Sequence, residues 1–263
     1  MIKVEPFFRK MVWGNPELNK IFEMDGDPIG EIWLVSGHPF HFSKLSDGST
    51  INEASMKLCG KNFERFPLLV KLISSSSWLS VQVHPDDDYA KNVENEPWGK
   101  NEAWYFLNDG IVAICENPSL ILNALENGKW DNVLRIEKIK AGTFVNIPAG
   151  TIHALGPGST VIEVQQSSDL TYRIYDWGRK RETHIKKALE VAKPIKFEDL
   201  LVSHVNTEYF SMKEVLNDKV SGFSIIVPKN IQRDFAAFLI PKNELEKVEN
   251  SIVINLGKFF LNS

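Results

Sequence analysis

Apolar and polar positions alternate along much of this chain in short runs, which are separated by glycine, proline or Asn-Asp pairs. The runs are GEIWLVSG, FPLLVKLI, WLSVQVHP, EAWYFLNDG, IVAIC, GTFVNIPAG, STVIEVQQ and TYRIYDW. Alternation places successive side chains on opposite faces of a strand. Short strands with turn signals between them are typical of β-sandwiches and β-barrels. The pattern therefore predicts a mainly β fold of one of these two kinds.

Two segments have the spacing of amphipathic helices instead. The first is SLILNALENG, whose apolar side would comprise Leu120, Leu122, Ala124 and Leu125. The second is ETHIKKALEVAKP, where Thr183 is the expected N-cap. A further short helix is expected in INEASMKL, at residues 51–58. These segments are predicted to interrupt a framework of strands.

The balance of turn signals and polar motifs changes after about residue 195. Residues 1–200 are predicted to form the main domain, with a helical insertion near 117–135. Residues 201–263 alternate weakly and contain few turn signals, so we expect a smaller second β unit there.

Composition narrows the class of protein. The 263 residues are 43% hydrophobic and carry a net charge of −4, so neither nucleic acid nor an anionic membrane is an expected partner. The two cysteines, Cys59 and Cys115, make no disulfide framework, which favours a reducing compartment. The first residues show no secretory signal pattern, so the protein is expected in the cytoplasm.

The first candidate functional residues lie in LSVQVHP. In this run Ser80, Gln82 and His84 share one face of a strand. A lone histidine on a strand is more often a hydrogen-bonded core or surface residue than a metal ligand. Three polar groups on one face of a strand in an apolar neighbourhood would be costly without partners, however. Glu102 begins another strand run, and His153 follows the Pro-Ala-Gly corner. Two histidines, a carboxylate and an amide oxygen suit zinc or a similar metal.

These motifs resemble known families. The run GTFVNIPAGTIH is similar to the second motif of cupins, which are jelly-roll β-barrels. Together with IGEIW, LSVQVHPDDDYA, GKNEAWYFL and STVIEVQQSSDLTYRIYDWGR, it resembles the short bacterial form of the type I mannose-6-phosphate isomerases over most of residues 1–195. The resemblance implies a mainly β cupin barrel with a few helices and a smaller, incomplete second β unit. It also implies interconversion of mannose 6-phosphate and fructose 6-phosphate through a cis-enediol(ate).

The resemblance also assigns site residues. It places one zinc ion on Gln82, His84, Glu102 and His153, and other site positions on Lys71, Ser80, Lys100, Glu163, Arg173 and Arg179. We expect Arg173, Glu163 and Lys100 to be catalytic, with Arg173 as the cationic electrophile and Glu163 as a candidate base. His84 and a metal-bound hydroxide are alternatives to Glu163 as the base. Ser80, Lys71 and Arg179 are expected to bind the substrate.

Two of these residues also have a simpler, non-functional explanation. Arg179 lies in the charged run RKRET and could be a solvated charge, whereas Lys71 could extend its ammonium from a strand to the solvent.

Two other functions remain open from the sequence. One is a non-catalytic cupin that binds a metal and recognises sugars, although such a protein would not need Arg173. The other is an iron-dependent cupin oxidoreductase, which Gln82 disfavours because it replaces a histidine of the first cupin motif. The tail lacks the second Pro-Ala-Gly corner of the family. A sheet edge left exposed there could be covered by a second copy in a homodimer.

Overall fold

The computed structural model describes residues 1–262, and its architecture is the mainly β cupin type that the sequence predicts. The strands are β1 (Ile2–Lys3), β2 (Phe7–Lys10), β3 (Ile29–Ser36), β4 (Leu68–Ser74), β5 (Val81–Val83), β6 (Glu102–Phe106), β7 (Gly110–Cys115), β8 (Arg135–Ile139), β9 (Phe144–Ile147), β10 (Ile152–Leu155), β11 (Thr160–Gln166), β12 (Tyr172–Tyr175), β13 (Leu201–Val202), β14 (Val205–Asn206), β15 (Phe210–Ser221), β16 (Ser224–Pro228), β17 (Phe238–Ile240) and β18 (Leu245–Leu256). Every apolar run named from the sequence contains a strand, which confirms the local pattern.

Helices connect the strands. They are α1 (Pro16–Phe22), α2 (Ile51–Cys59), α3 (Asp87–Tyr89), α4 (Ile121–Asn127), α5 (Ile185–Val191), α6 (Phe197–Leu200) and α7 (Lys258–Asn262), with single helical turns at Pro118–Leu120, Trp130–Asn132 and Ala90–Glu94. The predicted α2 is confirmed, and a reciprocal capping box between Thr50 and Glu53 starts it. In the part of the chain that the structure describes, no helix has both the length and the apolar character that crossing a membrane requires.

Two details of the predicted helices are wrong. The buried residues of α4 are Ile121 and Ala124, whereas Leu122 is 53% exposed. The apolar spacing was compatible with more than one buried side, and packing of Ile121 against the core of the same unit selected this one. Thr183 does not cap α5, because that helix begins after His184, whose side chain makes no capping bond.

Contacts between residues divide the chain into two units. The first combines Met1–Ile73, Ile162–Ser167 and the chain from Ser203 onward. One of its sheets has the strand order β1-β17-β16-β18-β15-β14, and β2, β3 and β4 form antiparallel neighbours beside the C-terminal part of β11. The long β15–β18 pair packs Val215 and Val248 into a small apolar core. The domain boundary near residue 200 stays a prediction.

The second unit combines Ser74–Val161 and Ser168–Val202. One sheet has the order β12-β5-β10-β7-β8, and β6, β9 and β13 are neighbours in another. All the pairs within these two sets are antiparallel. Val81 and Val83 of β5 lie in the core of this unit with α4 and α5, so the apolar face of LSVQVHP points into that core. Gln82, which lies between them, therefore faces the other way.

Candidate metal centre and active site

Strand β5 lies between β10 and β12 and brings distant polar residues together. Gln82 is paired with His153 of β10 on one side and with Arg173 of β12 on the other. Residues directly opposite each other on antiparallel strands project from the same face. Ser80 Oγ donates to Gln82 Oε1 at 3.2 Å, which orients the amide oxygen. Four of the residues expected from the sequence therefore share one face of this sheet.

His84, Glu102 and His153, which are all buried, bring potential metal-ligand atoms together. The ligand atoms of these three side chains lie within 4.8 Å of one another. His153 Nε2 is 3.1 Å from Glu102 Oε1, and His84 Nε2 is 3.4 Å from Glu102 Oε2. The indole of Trp104 packs edge-on against the His153 ring, with 5.5 Å between the ring centroids. The geometry brings together a nitrogen–oxygen–nitrogen set of the kind that binds a divalent metal.

A hydrogen bond at Nδ1 of each imidazole determines whether Nε2, which faces the carboxylate, carries a proton or a lone pair. His84 Nδ1 lies 2.9 Å from the carbonyl oxygen of Leu170, and His153 Nδ1 lies 3.0 Å from that of Thr151. A carbonyl oxygen only accepts, so both Nδ1 atoms must carry protons. In the neutral rings both Nε2 atoms are then acceptors that point at the carboxylate, the arrangement found in metal-ligating histidines.

This arrangement places acceptor against acceptor. Within residues 1–262, His84 Nε2, His153 Nε2 and both carboxylate oxygens of Glu102 are buried and lack a hydrogen-bond partner. Buried lone pairs at 3.1–3.4 Å repel one another unless a cation lies between them. Two imidazoles and a carboxylate, with the amide of Gln82 on the adjacent strand, match the ligands of zinc or a similar borderline metal. The residues present therefore fit a divalent metal.

The ionisation states of the group also suit metal binding. Burial and the Lys100 ammonium lower the pKa of His84 to about 4, so its imidazole is neutral at neutral pH. Burial alone would raise the pKa of Glu102, but Lys100 and the two neighbouring imidazoles together outweigh it and hold that pKa well below its usual range. Lys100 is itself buried, with its Nζ 3.3 Å from Glu102 Oε2. A neutral imidazole and an ionised carboxylate are the forms that bind metals.

Backbone contacts between two loops place Lys100 and Glu102 beside His84. Lys100 N donates to the Pro85 carbonyl oxygen at 3.0 Å, and Gly99 N donates to Asp87 Oδ1 at 2.7 Å. The loops are so close that a Cβ on Gly99 would lie 2.3 Å from the Pro85 carbonyl oxygen. Only glycine therefore allows this approach without a backbone shift.

We expect Gly99→Ala to disturb the metal site because the backbone of residues 85–86 must move away from the new methyl group. The expected loss of folding free energy is about 1–3 kcal/mol, as for other overpacked positions. Metal affinity should fall roughly 10- to 100-fold, the usual effect of perturbing the support of a ligand. Urea denaturation and metal titration measure the two effects. Glu126→Ala, at an exposed position of α4, should change neither, and unchanged metal affinity in Gly99→Ala would contradict the role given to this contact.

Lys71, Glu163 and Gln165 meet in the first unit. Lys71 Nζ donates to Glu163 Oε1 at 3.0 Å and to Gln165 Oε1 at 2.7 Å, and it lies 5.7 Å from the centroid of the Trp33 ring. Glu163 and Gln165 lie two residues apart on β11, and their common partner Lys71 shows that they share one strand face. The Lys71 and Glu163 side chains are each only 4% exposed. Lys71 is therefore a buried ion-pair partner, and its ammonium does not extend to the solvent.

We expect Lys71→Met to destabilise the fold by about 3–5 kcal/mol, because it leaves Glu163 buried without this ammonium. The double variant Lys71→Met/Glu163→Gln should recover part of the loss, since neither side chain is then charged. Urea denaturation followed by circular dichroism measures both. Lys140→Met serves as the control, because Lys140 and its partner Asp109 are both exposed. Equal stability of the single and double variants would contradict a coupled buried pair.

Arg173 and Arg179 follow each other along β12 and the turn after it. Arg173 Nη1 donates to the Glu182 carbonyl oxygen at 2.6 Å. Arg179 Nη2 donates to Asp176 Oδ1 at 2.8 Å and to the Trp78 carbonyl oxygen at 2.6 Å. The reading of Arg179 as an unattached solvated charge is therefore wrong.

Two residues of this group do not stand out in the sequence: Asp176, the partner of Arg179, and Arg181, which also binds Asp176. The signal available was the spacing Asp-x-Gly-Arg, in which a turn returns an arginine to an acidic residue. In the sequence, Arg181 looks like any other member of a charged run.

Comparisons with known proteins agree with the motifs. A family model described as the catalytic domain of phosphomannose isomerase type I matches residues 1–106. The probable mannose-6-phosphate isomerase GmuF of Bacillus subtilis is 36% identical over 262 residues, covering 83% of this chain and 79% of that protein. The mannose-6-phosphate isomerase of Streptococcus mutans is also 36% identical, covering 71% of this chain and 67% of that protein.

Solved structures show the same fold. The mannose 6-phosphate isomerase from Bacillus subtilis superposes with a TM-score of 0.81 at 27% identity, covering 96% of this chain and 98% of that one. A mannose 6-phosphate isomerase bound with zinc and yttrium has a TM-score of 0.70 at 15% identity, covering 98% of this chain and 99% of that one, and this likeness shows the fold alone. With the identity to GmuF over most of both chains, these findings show that the chain belongs to the type I phosphomannose isomerase family.

Proposed function

We propose that this protein is a zinc-dependent aldose–ketose isomerase that interconverts mannose 6-phosphate and fructose 6-phosphate. The observation that carries the proposal is the Glu102 carboxylate, buried between the Nε2 lone pairs of His84 and His153. Acceptor atoms arranged in this way favour a cation between them. Family membership supplies the sugar-phosphate substrate, because the relatives are named mannose-6-phosphate isomerases.

Zinc is the metal we propose, with Gln82, His84, Glu102 and His153 as its ligands. Two imidazoles, one carboxylate and one amide oxygen suit this borderline metal. A related structure of the same fold is described as bound with zinc, which supports the choice. When bound, zinc would act as a Lewis acid that polarises oxygens of the sugar.

The reaction requires transfer of a proton between two neighbouring carbons. A base removes the proton from C2 of the open-chain aldose while the electrons of the C–H bond form the C1–C2 double bond of a cis-enediol(ate). A proton is then added to C1, and the proton of the C2 hydroxyl moves to O1, which leaves the ketone at C2. We propose Glu163 as the base, in an ion pair with Lys71 3.0 Å away. Arg173 and Lys100 are proposed to stabilise the negative charge that develops on the enediolate oxygens.

Ser80, Lys71 and Arg179 are proposed to bind the substrate. Ser80 lies on the same face as Gln82, as their hydrogen bond demonstrates. Arg179 presents a guanidinium group at the end of the sheet that carries the proposed ligands, and planar guanidinium groups suit phosphate oxygens. A cytoplasmic location and a homodimer stay predictions from the sequence.

The experiment that tests the proposal combines metal analysis with an activity assay on the same purified protein. We expect about one zinc per chain and isomerisation of mannose 6-phosphate in an assay coupled to consumption of fructose 6-phosphate. Dialysis against a chelator should remove both zinc and activity, and added zinc should restore activity. Bound zinc without turnover would favour a non-catalytic sugar-binding cupin, and bound iron with oxidase activity would favour an oxidoreductase.

The cis-enediol(ate) makes a separate prediction about solvent exchange. If a base carries the proton between C2 and C1, part of the product formed in D2O should contain deuterium at C1. A direct hydride shift would instead retain the original hydrogen. NMR spectroscopy or mass spectrometry of the fructose 6-phosphate formed distinguishes the two routes. The complete absence of deuterium at C1 at early conversion would count against the enediol(ate).

A further inference from the structure

A tight turn after β12 brings Arg179 back toward Asp176. Arg179 N donates to the Asp176 carbonyl oxygen at 3.0 Å, and the two central residues, Trp177 and Gly178, have φ angles of +54° and +84°. Positive φ at both central positions is the pattern of a type I′ turn, which is uncommon for a bulky residue such as tryptophan. Strained positions of this kind persist only where the surroundings hold them in place.

The surroundings do hold Trp177. Its indole stacks on Trp78 with 4.7 Å between the ring centroids, and its Nε1 donates to the Leu79 carbonyl oxygen at 2.7 Å. Trp78 and Leu79 immediately precede Ser80, a proposed substrate-binding residue. The turn is therefore fixed to the start of the segment that carries Ser80 and Gln82.

Within this turn, Asp176 is the centre of an arginine cluster, by which we mean Arg173, Arg179 and Arg181 around Asp176. Arg181 binds the carboxylate with two parallel bonds, Nε to Oδ2 at 2.8 Å and Nη2 to Oδ1 at 2.7 Å. Arg179 adds Nε and Nη2 to Oδ1, at 3.1 and 2.8 Å. Burial alone would raise the pKa of Asp176, but Arg181 and Arg179 outweigh it, and the carboxyl group is ionised at neutral pH. One buried carboxylate thus sets the orientation of two guanidinium groups.

The arginine cluster keeps an excess of positive charge. Arg179 and Arg181 bind one buried carboxylate, Arg173 adds a third positive charge nearby, and the exposed Glu182 offsets this charge only in part. In the described chain, Arg173 Nε is buried without a hydrogen-bond partner, and no hydrogen bond uses Nη1 of Arg179 or Arg181. Unused donors on clustered cations are the features expected of a site for a multiply charged anion.

The location of the arginine cluster along the sheet indicates which anion it binds. Gln82 is paired with Arg173, and the turn that holds Arg179 is fixed to the Trp78–Leu79 segment on the far side of Ser80. Two residues along a strand span about 7 Å, so the turn that holds Asp176 and Arg179 lies beyond Gln82 on the side away from His84. A hexose 6-phosphate reacts at C1 and C2 and carries its phosphate on C6, so the anion site must be displaced from the reacting carbons.

We propose that Arg181 binds the phosphate group of the substrate together with Arg179, and that Asp176 is the positioning residue that holds both guanidinium groups in place. This inference rests on the proposed function, which supplies the sugar phosphate. A phosphate monoester carries a charge of roughly −1.5 to −2 at pH 7, close to the excess of the cluster. The positioning role also makes a counterintuitive prediction about Asp176. Removal of its negative charge should weaken phosphate binding, although the site becomes more positive.

The test is a calorimetric titration of the full-length protein with inorganic phosphate at low ionic strength. Compared with wild type, Arg181→Ala should bind phosphate at least about 10-fold more weakly, the effect of losing charge-assisted hydrogen bonds. Asp176→Asn should weaken binding to a similar extent, because both guanidinium groups lose their anchor. Arg135→Ala is the control and should leave binding unchanged, because Arg135 pairs with Glu116, Glu137 and Glu198 and so carries no excess charge.

Kinetics separates positioning from a merely structural role. In both variants the KM for mannose 6-phosphate should rise about 10-fold or more while kcat changes by less than about 3-fold, since the affected interactions are made equally in the ground and transition states. Arg181→Lys should recover only part of the affinity, because it restores the charge but not the planar fork.

Three results would overturn the inference. They are unchanged phosphate affinity in Arg181→Ala, tighter binding in Asp176→Asn, and no phosphate binding by the wild type. If Asp176→Asn does not fold, Arg181→Ala decides alone. The titration needs no turnover, so a protein that binds phosphate as expected but does not isomerise mannose 6-phosphate would refute only the proposed function. Turnover with unchanged phosphate binding in the variants would refute only this inference.

Discussion

Replacement of Glu102 by glutamine is expected to remove bound zinc and to lower kcat/KM for mannose 6-phosphate by about 1,000-fold or more. The carboxylate is the negative charge between the two imidazoles, with oxygens 3.1 and 3.4 Å from their Nε2 atoms. Glutamine has nearly the same shape but no charge. Loss of the Lewis acid at the reacting oxygens forfeits several kcal/mol of transition-state stabilisation, and each 1.36 kcal/mol corresponds to a factor of ten in rate.

The substitution also removes the carboxylate partner of the buried Lys100, 3.3 Å away, so we expect some loss of folding stability but a folded protein. The amide NH2 of glutamine can donate to an Nε2 lone pair, which relieves the contact between acceptors that exists without a cation. Zinc content by mass spectrometry and a coupled assay give the two readouts, and circular dichroism checks the fold. Glu137→Gln is a matched control, because Glu137 lies on a strand of the same unit but pairs with Arg135. One zinc per chain with near-normal turnover in Glu102→Gln would disprove the proposed ligand set.

Replacement of Arg173 by alanine is expected to lower kcat by about 100- to 1,000-fold without loss of zinc. Arg173 is paired across the sheet with Gln82, and its guanidinium group is proposed to face the negative charge that develops on the enediolate. Removal of one donor to a developing oxyanion typically has an effect of this size. Burial and the nearby Arg181 lower the pKa of Arg173, but a guanidinium group remains charged throughout the working pH range.

Comparison with three further variants tests the role of Arg173. Arg173→Lys should recover about 10-fold of the lost kcat, because it keeps the charge but not the planar geometry. Arg233→Ala, which removes an exposed arginine paired with Glu23, should behave as wild type. Retained zinc distinguishes Arg173→Ala from Glu102→Gln, which should lose it. A kcat for Arg173→Ala within a few-fold of wild type would exclude Arg173 as the electrophile.

Local patterns in the sequence predicted the strands well because alternation is a property of neighbouring residues. The run LSVQVHP shows this, since Val81 and Val83 enter the core as expected and Gln82 faces the other way. The apolar pattern of α4 is less informative. Apolar residues lie on more than one side of that helix, and only the packing of Ile121 and Ala124 against a core decided which side is buried.

The residues of the candidate site were likewise predicted only in part from the sequence. Resemblance to a family selected His84, Glu102 and His153, and the structure brings their ligand atoms within 4.8 Å. Asp176 and Arg181 could not be selected in this way, because an acidic residue in a turn and an arginine in a charged run have no special meaning until they are in contact. Their importance depends on side-chain distances of 2.7–2.8 Å, which no local pattern encodes.

The sequence by itself determined the class of fold, the succession of strands and the identity of the candidate ligands, because periodicity and motif spacing are written along the chain. Only the tertiary structure decided that both imidazoles turn their Nε2 lone pairs toward one carboxylate, since carbonyl groups of Leu170 and Thr151 hold the opposite nitrogens. Only the tertiary structure likewise gathered three arginines around Asp176. The physical reason is that charges and lone pairs act through distance in space, and antiparallel pairing brings together groups that are far apart along the chain.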